Sequence, residues 1–389
     1  MPAGEFDLVV VGGGIHGAGV AQAAAAAGQR VLLLEKRYPA AETSSRSSKL
    51  IHGGLRYLET GQFGLVRESL RERELLLKLA PGLVRRVPFF IPVYRQTRRR
   101  PWQIRIGLTL YALLGGLRRN TWFRSVPRRD WGRFGGLSTD GLQAVFQYSD
   151  AQTDDAALTR AVAKSAKSLG ATLHWPAELI AANRTENGFR VEYRHEGEKR
   201  ECQTACLVNA TGPWINAVRE RVFPPPPGKD VDLVQGAHIL LDRRLCDGVL
   251  YVESPRDGRA VFIMPWGESQ SLVGTTETTL TDPPDDPQPL AEEIEYLEQT
   301  LRHYYPDCDA AITGQFAGVR VLPRGEGIAF RRPRETVLVT DDDSRPRYLA
   351  IYGGKLTCYR ATAERVLHRL RHSLPPRTRI ASTRDLPLT

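Results

Sequence analysis

Long apolar runs are missing from these 389 residues. No stretch reaches the roughly 18 consecutive apolar positions that a membrane-spanning helix needs, so no segment is read as crossing a bilayer. A secretory leader is not expected either, because Met1 to Asp7 carries no basic cluster and the apolar run after it is already a strand. Cysteine is sparse, with five residues at 202, 206, 246, 308 and 358. Cys202 and Cys206 are not matched by a second Cys or His pair, so the spacing builds neither a zinc site nor a disulfide framework. Buried, reduced thiols are the expectation, which points to the cytoplasm, and no metal site is expected. Lysine is scarce: only eight of the 54 basic residues are Lys, the rest being Arg. No internal repeat is visible.

What is present is an ordinary globular composition, 41% hydrophobic and 25% charged, in a chain long enough for two domains. The net charge of +10 favours anionic partners: phosphate-bearing ligands, an anionic membrane surface or nucleic acid.

The first forty residues organise the rest. Phe6 to Val11 is a short apolar run suited to a buried parallel strand. Gly12-Gly-Gly-Ile-His-Gly17 follows, then an Ala-rich helix to Ala27, a stop at Gly28 and a second strand, Val31 to Leu34, ending on Glu35. This is a G-x-G-x-x-G fingerprint in its strand–turn–helix–strand context. Gly12 permits the tight turn, Gly14 lets the backbone approach a pyrophosphate, and Gly17 lets helix and strand lie close. The N–H groups at Ile15 and His16 open the helix toward phosphate. Glu35 is placed to accept from ribose hydroxyls, with Lys36 beside it. The fingerprint alone does not separate FAD from NAD.

The most unusual stretch is Thr43-Ser-Ser-Arg-Ser-Ser-Lys-Leu-Ile-His-Gly-Gly-Leu-Arg-Tyr-Leu58, which crowds hydroxyls, basic groups, His52 and a Gly pair into one loop. Together with the glycine turn it resembles the FAD-dependent glycerol-3-phosphate dehydrogenases, among the D-amino-acid-oxidase-like flavoproteins. The resemblance continues through Phe146-Gln-Tyr-Ser-Asp150, Val208-Asn-Ala-Thr-Gly-Pro-Trp214, Gly236-Ala-His238, Val273-Gly-Thr-Thr276, Gly318-Val-Arg320 and Tyr352-Gly-Gly-Lys-Leu-Thr-Cys-Tyr-Arg360. It implies an α/β protein: a Rossmann-like FAD-binding domain from 1–75, 146–228 and 334–389, and an α+β substrate domain on an antiparallel sheet from 76–145 and 229–333. The family continues beyond this point as a helical C-terminal domain, whereas this chain ends at Thr389.

Along the chain, Leu65 to Leu79 is an amphipathic helix with solvated ion pairs, and Val87 to Tyr94 reads as an edge strand because of its prolines. Residues 98–119 form an apolar segment between Arg clusters. It reads as an interfacial helix on an anionic membrane or as a core helix with solvated ends, and the resemblance favours the membrane. Nucleic acid is not expected, since the Arg residues flank the segment rather than alternate with aromatics. Thr153-Asp-Asp155 caps a helix. Phe189 to His195 and Glu201 to Cys206 form a hairpin, Pro224 to Gly228 is a stiff linker, and Val231 to Thr275 is a run of short strands. Thr281 to Pro289 is a surface loop, Leu290 to Tyr305 a helix, and 336–340 and 348–352 are strands.

The resemblance implies the site. Thr43, Ser44, Ser45, Ser47, Ser48, Lys49, Leu50 and Gly53 would contact the cofactor from one side. Glu178 and Leu179 would pass the adenine, and Ala210, Thr211 and Gly212 form a turn facing the cofactor. Gly353, Gly354, Lys355, Leu356 and Thr357 form a turn whose N–H groups suit the flavin's N1–O2 edge. Oxidation of a secondary alcohol moves hydride from C2 to flavin N5 while a base takes the hydroxyl proton. His52 is the first candidate base and His238 the second. Arg56, Tyr57, Arg320, Arg331, Lys355 and Thr357 are expected at the substrate, where Arg forks suit a phosphate.

No His or Cys stands out for flavin attachment, so FAD is expected to be non-covalent. The family carries Pro after the Arg at 320, whereas this chain has Val321. The expected activity is oxidation of sn-glycerol 3-phosphate to dihydroxyacetone phosphate with electrons passing to quinone, at the cytoplasmic face of a membrane. A related dehydrogenase or oxidase of another 2-hydroxy acid or amine, or a non-catalytic flavin-binding module, are the alternatives. Nothing in the sequence assigns an oligomeric state.

Overall fold

The computed structural model describes residues 4–117, 121–324 and 336–389. Two sheets organise them. In the first, Glu5–Val11 lies between Val31–Leu34 and the second half of Glu198–Asn209, all parallel, with Leu8 opposite both Val31 and Cys206. Thr172–His174 extends the sheet beyond Val31–Leu34, and Tyr348–Tyr352 pairs on the far side of Glu198–Asn209. The side chains of these short apolar strands alternate between two cores. Leu8, Val10, Val31 and Leu33 face three helices, whereas Val9, Val11, Leu32 and Leu34 face the opposite layer. Burial on both faces is what a continuous apolar run requires.

Helix Ile15–Ala26 is two-thirds Ala and Gly, and it packs between helices Asp155–Ser168 and Tyr359–Leu370. Small side chains are required there: a Cβ on Gly19 would lie 2.7 Å from the Tyr359 ring. The expected cap is present, since Asp154 accepts the Ala157 N–H at 2.9 Å. The first half of Glu198–Asn209 forms the predicted hairpin with Gly188–His195, which pairs in turn with Ala177–Thr185. Its turn places Glu196 at φ 52° and Gly197 at φ 84°.

The second sheet is almost wholly antiparallel, with Val231–Leu241 and Val84–Tyr94 as two of its long strands. Helix Ala291–Tyr304 closes one face. Helices Phe63–Leu79 and Pro101–Leu114 pack on the other through Leu65, Leu70, Leu108 and Tyr111.

Three expectations change. Val84–Tyr94 is not an edge strand: it pairs along its length with Leu142–Thr153 and, at Phe89 and Phe90, with Val249–Glu253. That second contact spans only Phe89 and Phe90, two of the three residues between Pro88 and Pro92, so the prolines interrupt no longer ladder. Residues 146–153, assigned from sequence to the cofactor-binding part, pair in the second sheet, as does Leu50–Ile51. The ion pairs of helix Phe63–Leu79 are not all solvated. Arg73 is fully buried against Asp150 at 2.5 Å, and Glu72 is buried against Arg360 at 2.6 Å. The cysteines are all free, with four buried and Cys308 partly so.

Helix Pro101–Leu114 is buried on one side and exposed on the other. Leu108, Tyr111 and Ala112 are buried, while Trp102 and Ile106 are 62% and 60% exposed and Leu113 and Leu117 are also exposed. Residues 118 and 119 lie outside the described residues. Among the described residues no helix is long and apolar enough to cross a membrane.

Candidate active site

The two sheets share a cavity of about 810 Å³. One end is built by the glycine turn. Gly12 has φ 106°, and a Cβ there would lie 2.6 Å from the Ala210 carbonyl oxygen. A Cβ on Gly17 would lie 1.8 Å from the Gly12 carbonyl oxygen, so Gly17 serves packing behind the wall. Gly12, Gly14, Ile15 and His16 line the cavity. Gly14 ends the turn without a side-chain cap, and the Ile15 N–H donates to Ser44 Oγ at 2.9 Å. The helix N-terminus turns its positive dipole end to the cavity, as a diphosphate requires, with Ser44 on its first N–H.

Glu35 and Lys36 also line this end. Glu35 accepts the Gly13 N–H at 2.6 Å and the Arg37 N–H at 2.8 Å. Burial pushes its carboxyl above the usual range, against those two N–H groups. Glu178, Leu179, Ala210, Thr211 and Gly212 continue the wall from neighbouring strands.

The loop from 43 to 50 splits in two. Thr43, Ser44, Ser47, Ser48 and Leu50 face the cavity. Ser45 and Lys49 instead face a smaller hollow of about 390 Å³ with Trp266 and Phe316. Lys49 adopts φ 56°, and its ammonium pairs with Asp155 at 2.5 Å and with the Ser45 carbonyl at 2.6 Å. The reason is local: the left-handed residue turns its side chain away from its neighbours, toward the one buried carboxylate within reach.

The second sheet and the last glycine turn line the rest of the cavity. Gly353, Gly354, Lys355 and Leu356 line the cavity, whereas Thr357 is fully buried behind them. Gly354 has φ 114°, and a Cβ there would lie 2.1 Å from His16 Nε2. The two glycine turns thus touch, with His16 between them. Burial, with Arg365 nearby, pushes His16 down to about 4, and its buried Nδ1 has no hydrogen-bond partner among the described residues.

His52, Arg56, Tyr57, His238 and Arg320 all line the cavity. The His52 N–H donates to Thr357 Oγ1 at 3.2 Å, and its carbonyl accepts from Lys355 Nζ at 2.5 Å. Lys355 Nζ also stands 5.1 Å from the Tyr57 ring centre. Gly53 lies behind the wall, its N–H donating to Tyr111 Oη at 2.8 Å. His238 Nε2 is 3.0 Å from Ser48 Oγ, and its ring stacks on Phe316 at 4.9 Å. Burial, then Lys49 and Arg320, push His238 down to about 3, so it is neutral. Arg320 donates to Glu277 at 3.2 Å and to the Thr276 carbonyl at 3.1 Å. Arg331 lies outside the described residues.

Sequence reasoning missed Tyr251, Phe262, Glu277 and Arg259, which line the same cavity. Burial pushes the Tyr251 phenol up to about 12, with Arg56 nearby opposing it. They are single residues, Tyr251 and Phe262 on two strands and Arg259 and Glu277 in loops, and no local run marks them. Tyr148 also lines the cavity and lies within the Phe146–Asp150 block quoted above.

The residues present fit a dinucleotide cofactor. An uncapped helix terminus, a carboxylate at the second strand's end and a second glycine turn share one cavity, and added Cβ atoms would clash at the turns. Comparison with known proteins agrees. The family described as DAO, FAD dependent oxidoreductase, matches residues 7–360. D-erythritol 1-phosphate dehydrogenase of Brucella abortus is 38% identical over 375 residues, 95% of this chain and 74% of that protein. Aerobic glycerol-3-phosphate dehydrogenase of Escherichia coli is 37% identical, over 94% of this chain and 73% of that one. Among solved structures, glycerol-3-phosphate dehydrogenase from Bacillus halodurans complexed with FAD superposes with a TM-score of 0.78 at 24% identity, covering 100% of this chain and 68% of that one. The glycine cradle and these matches lead to one conclusion: the chain belongs to the FAD-dependent oxidoreductases of the DAO family, and FAD is its cofactor.

Proposed function

We propose that this enzyme oxidises the secondary alcohol of a small polyol phosphate, with sn-glycerol 3-phosphate first among candidates, to the corresponding ketone. The observation that carries this reading is that Arg56, Arg320, Lys355 and His52 all line one cavity, with Lys355 Nζ 2.5 Å from the His52 carbonyl. Three cations suit a phosphate, and an imidazole suits the hydroxyl proton. An amino or hydroxy acid would need one carboxylate fork rather than three cations. Bound FAD supplies the two-electron acceptor.

The residues then divide by role. His52, its backbone fixed on both sides by Thr357 and Lys355, takes the hydroxyl proton. Arg56, Tyr57, Arg320 and Lys355 hold the phosphate, with Glu277 and the Thr276 carbonyl orienting Arg320. His238 is held by Ser48 and stacked on Phe316, which favours a shaping role, and His52 is taken as the base. Glu35, Lys36, Glu178 and Leu179 hold the adenosine. Gly12, Gly14, Ile15, Ser44, Ser47 and Ser48 hold the diphosphate, and the 353–356 turn holds the flavin ring, without a covalent link.

A membrane quinone is the proposed electron acceptor. The exposed Trp102, Ile106, Leu113 and Leu117, flanked by exposed Arg98, Arg100 and Arg105, support docking of this helix on an anionic bilayer. The second reading, D-erythritol 1-phosphate as substrate, is favoured by the Brucella relative.

Anaerobic stopped-flow tests the proposal by following flavin absorbance after mixing with sn-glycerol 3-phosphate, D-erythritol 1-phosphate, glycerol or 2-hydroxyglutarate. Fast bleaching by glycerol 3-phosphate, slow bleaching by glycerol and a loss of at least tenfold in Arg320→Ala are expected. Faster bleaching by the four-carbon ester would select the second reading. Bleaching by the hydroxy acid alone would reject both. Peroxide formation in air at the turnover rate would replace quinone with oxygen.

A further inference from the structure

Tyr111 is the point where the surface helix Pro101–Leu114 reaches the wall of the cavity. Its phenol oxygen is bonded in both directions: it accepts the Gly53 N–H at 2.8 Å and donates to Asp150 Oδ2 at 2.7 Å. Asp150 is itself buried and saturated. Its Oδ1 takes Arg73 Nη1 at 2.5 Å and stands 3.3 Å from the same Gly53 nitrogen. Arg73, with no exposed surface, also donates to the Ser149 carbonyl and to Glu74. The Tyr111 ring meets the Tyr148 ring edge-on at 5.8 Å. None of Tyr111, Asp150 and Arg73 lines the cavity, and no step of the proposed reaction uses them.

What they hold is the peptide that follows His52. The His52 N–H is fixed by Thr357 Oγ1, its carbonyl by Lys355 Nζ, and the next N–H by Tyr111. The fit is close, since a Cβ on Gly53 would lie 2.3 Å from the phenol oxygen. Three successive backbone groups on either side of the His52 side chain are therefore tied to two elements, twice to the 353–357 turn and once to helix Pro101–Leu114. The third tie is the one that runs to a helix on the surface.

We infer that Tyr111 is a positioning residue for the oxidation: through the Gly53 N–H it fixes the His52–Gly53 peptide and so the placement of the His52 imidazole over the substrate. The inference rests on the reading of His52 as the base. A displacement of about 1 Å at a reacting group is enough to cost a large factor in rate without changing ground-state binding. Tyr111→Phe keeps the ring contacts and removes only the oxygen, leaving the Gly53 N–H with the longer, bent path to Asp150.

The test is a double-mutant cycle read by the anaerobic flavin-reduction rate of the holoenzyme, using whichever polyol phosphate reduces the wild type. Tyr111→Phe is expected to lower the limiting rate about tenfold, with the FAD dissociation constant and the substrate concentration for half-maximal rate each within threefold. His52→Gln is expected to lower the rate at least 100-fold. Tyr111→Phe added to His52→Gln is expected to cost nothing more, because nothing remains to be positioned.

Leu108→Ala, a buried neighbour on the same helix, should lower the Tm at least as much while leaving the reduction rate within twofold. A wild-type rate in Tyr111→Phe alongside a slow His52→Gln would overturn the inference. So would a full tenfold loss added in the double mutant, or a Leu108→Ala rate that falls in step with stability. A wild-type rate in His52→Gln would instead remove the reading of His52. If Tyr111→Phe does not accumulate, a difluorinated tyrosine installed at position 111 weakens the same acceptor, and an unchanged rate in that protein would overturn the inference equally.

Discussion

Lys49 and Asp155 form a buried ion pair, Nζ to Oδ1 2.5 Å, at the first turn of helix Asp155–Ser168. The same carboxylate accepts the Ser47 N–H at 2.9 Å and the Ser47 hydroxyl at 2.6 Å. One buried acid thus fixes the loop that carries Ser44, Ser47 and Ser48 to the cavity wall. Removing either partner leaves a charge without its counterion in a desolvated place, which costs about 3–5 kcal/mol. Lys49→Met and Asp155→Asn are therefore each expected to lower the denaturant midpoint sharply and to weaken FAD retention. Replacing both together should recover part of the stability and of the FAD affinity but not all of either, because the amide keeps only one of the two acceptor oxygens that serve Ser47 and the Ala156 N–H. Equilibrium unfolding and flavin fluorescence on dilution measure the two effects separately.

Gly354 meets His16 at the junction of the two glycine turns. Gly354→Ala introduces two separate penalties. The left-handed φ of 114° costs an L-residue about 1–2 kcal/mol, and the new methyl overlaps the imidazole. Only the second is relieved by His16→Ala. FAD affinity is expected to fall at least tenfold in Gly354→Ala and to recover partly, not fully, in the double variant. Titration of the apoprotein with FAD, followed by fluorescence quenching, gives both constants.

His238 has its own pH signature. Burial, Lys49 and Arg320 hold its folded pKa near 3, against an unfolded value of 6.5. Below pH 6.5 the unfolded chain takes up a proton that the folded chain refuses, so stability is full above 6.5 and is lost as the pH falls toward 3. The stability of the wild type relative to His238→Gln should therefore shrink by about 1.4 kcal/mol per pH unit between roughly pH 6 and 4. Urea unfolding at four pH values checks the slope.

The outward side of helix Pro101–Leu114 carries Trp102 and Ile106 among exposed Arg residues. Ile106→Glu and Trp102→Ser are expected to reduce co-sedimentation with vesicles containing anionic lipid while leaving flavin content unchanged. Arg98→Ala and Arg105→Ala should weaken it by about 1 kcal/mol each at low salt, and the loss should fade as salt rises. Binding to neutral vesicles as tight as to anionic ones would contradict the assigned role of the Arg flanks.

Much of the cofactor half was legible before any coordinates. Apolar strands, a glycine turn and an Ala-rich helix are local patterns, and local sterics decide them. Gly12 and Gly17 stand where the turn and the helix packing require them, and Glu35 ends the second strand as its spacing from Gly17 predicted. The hydroxyl-rich loop with His52, and the 353–356 turn, were found as blocks for the same reason.

The part of the cavity proposed for substrate was less legible because no run of residues builds it. Tyr251, Phe262, Glu277 and Arg320 come from different strands or loops of one sheet, and each alone looks like any half-buried side chain. Lys49 could not be told from its serine neighbours until its left-handed backbone and the buried Asp155 were seen together. The chain by itself determined a dinucleotide fold, its cofactor turn and the groups able to carry the chemistry, since these depend on neighbours in sequence. Only the tertiary structure decided which of those groups face the cavity, that Val84–Tyr94 lies inside its sheet, and that Tyr111 reaches Gly53. Those outcomes depend on pairings between distant segments, where burial and hydrogen-bond satisfaction choose among side chains that the sequence leaves equivalent.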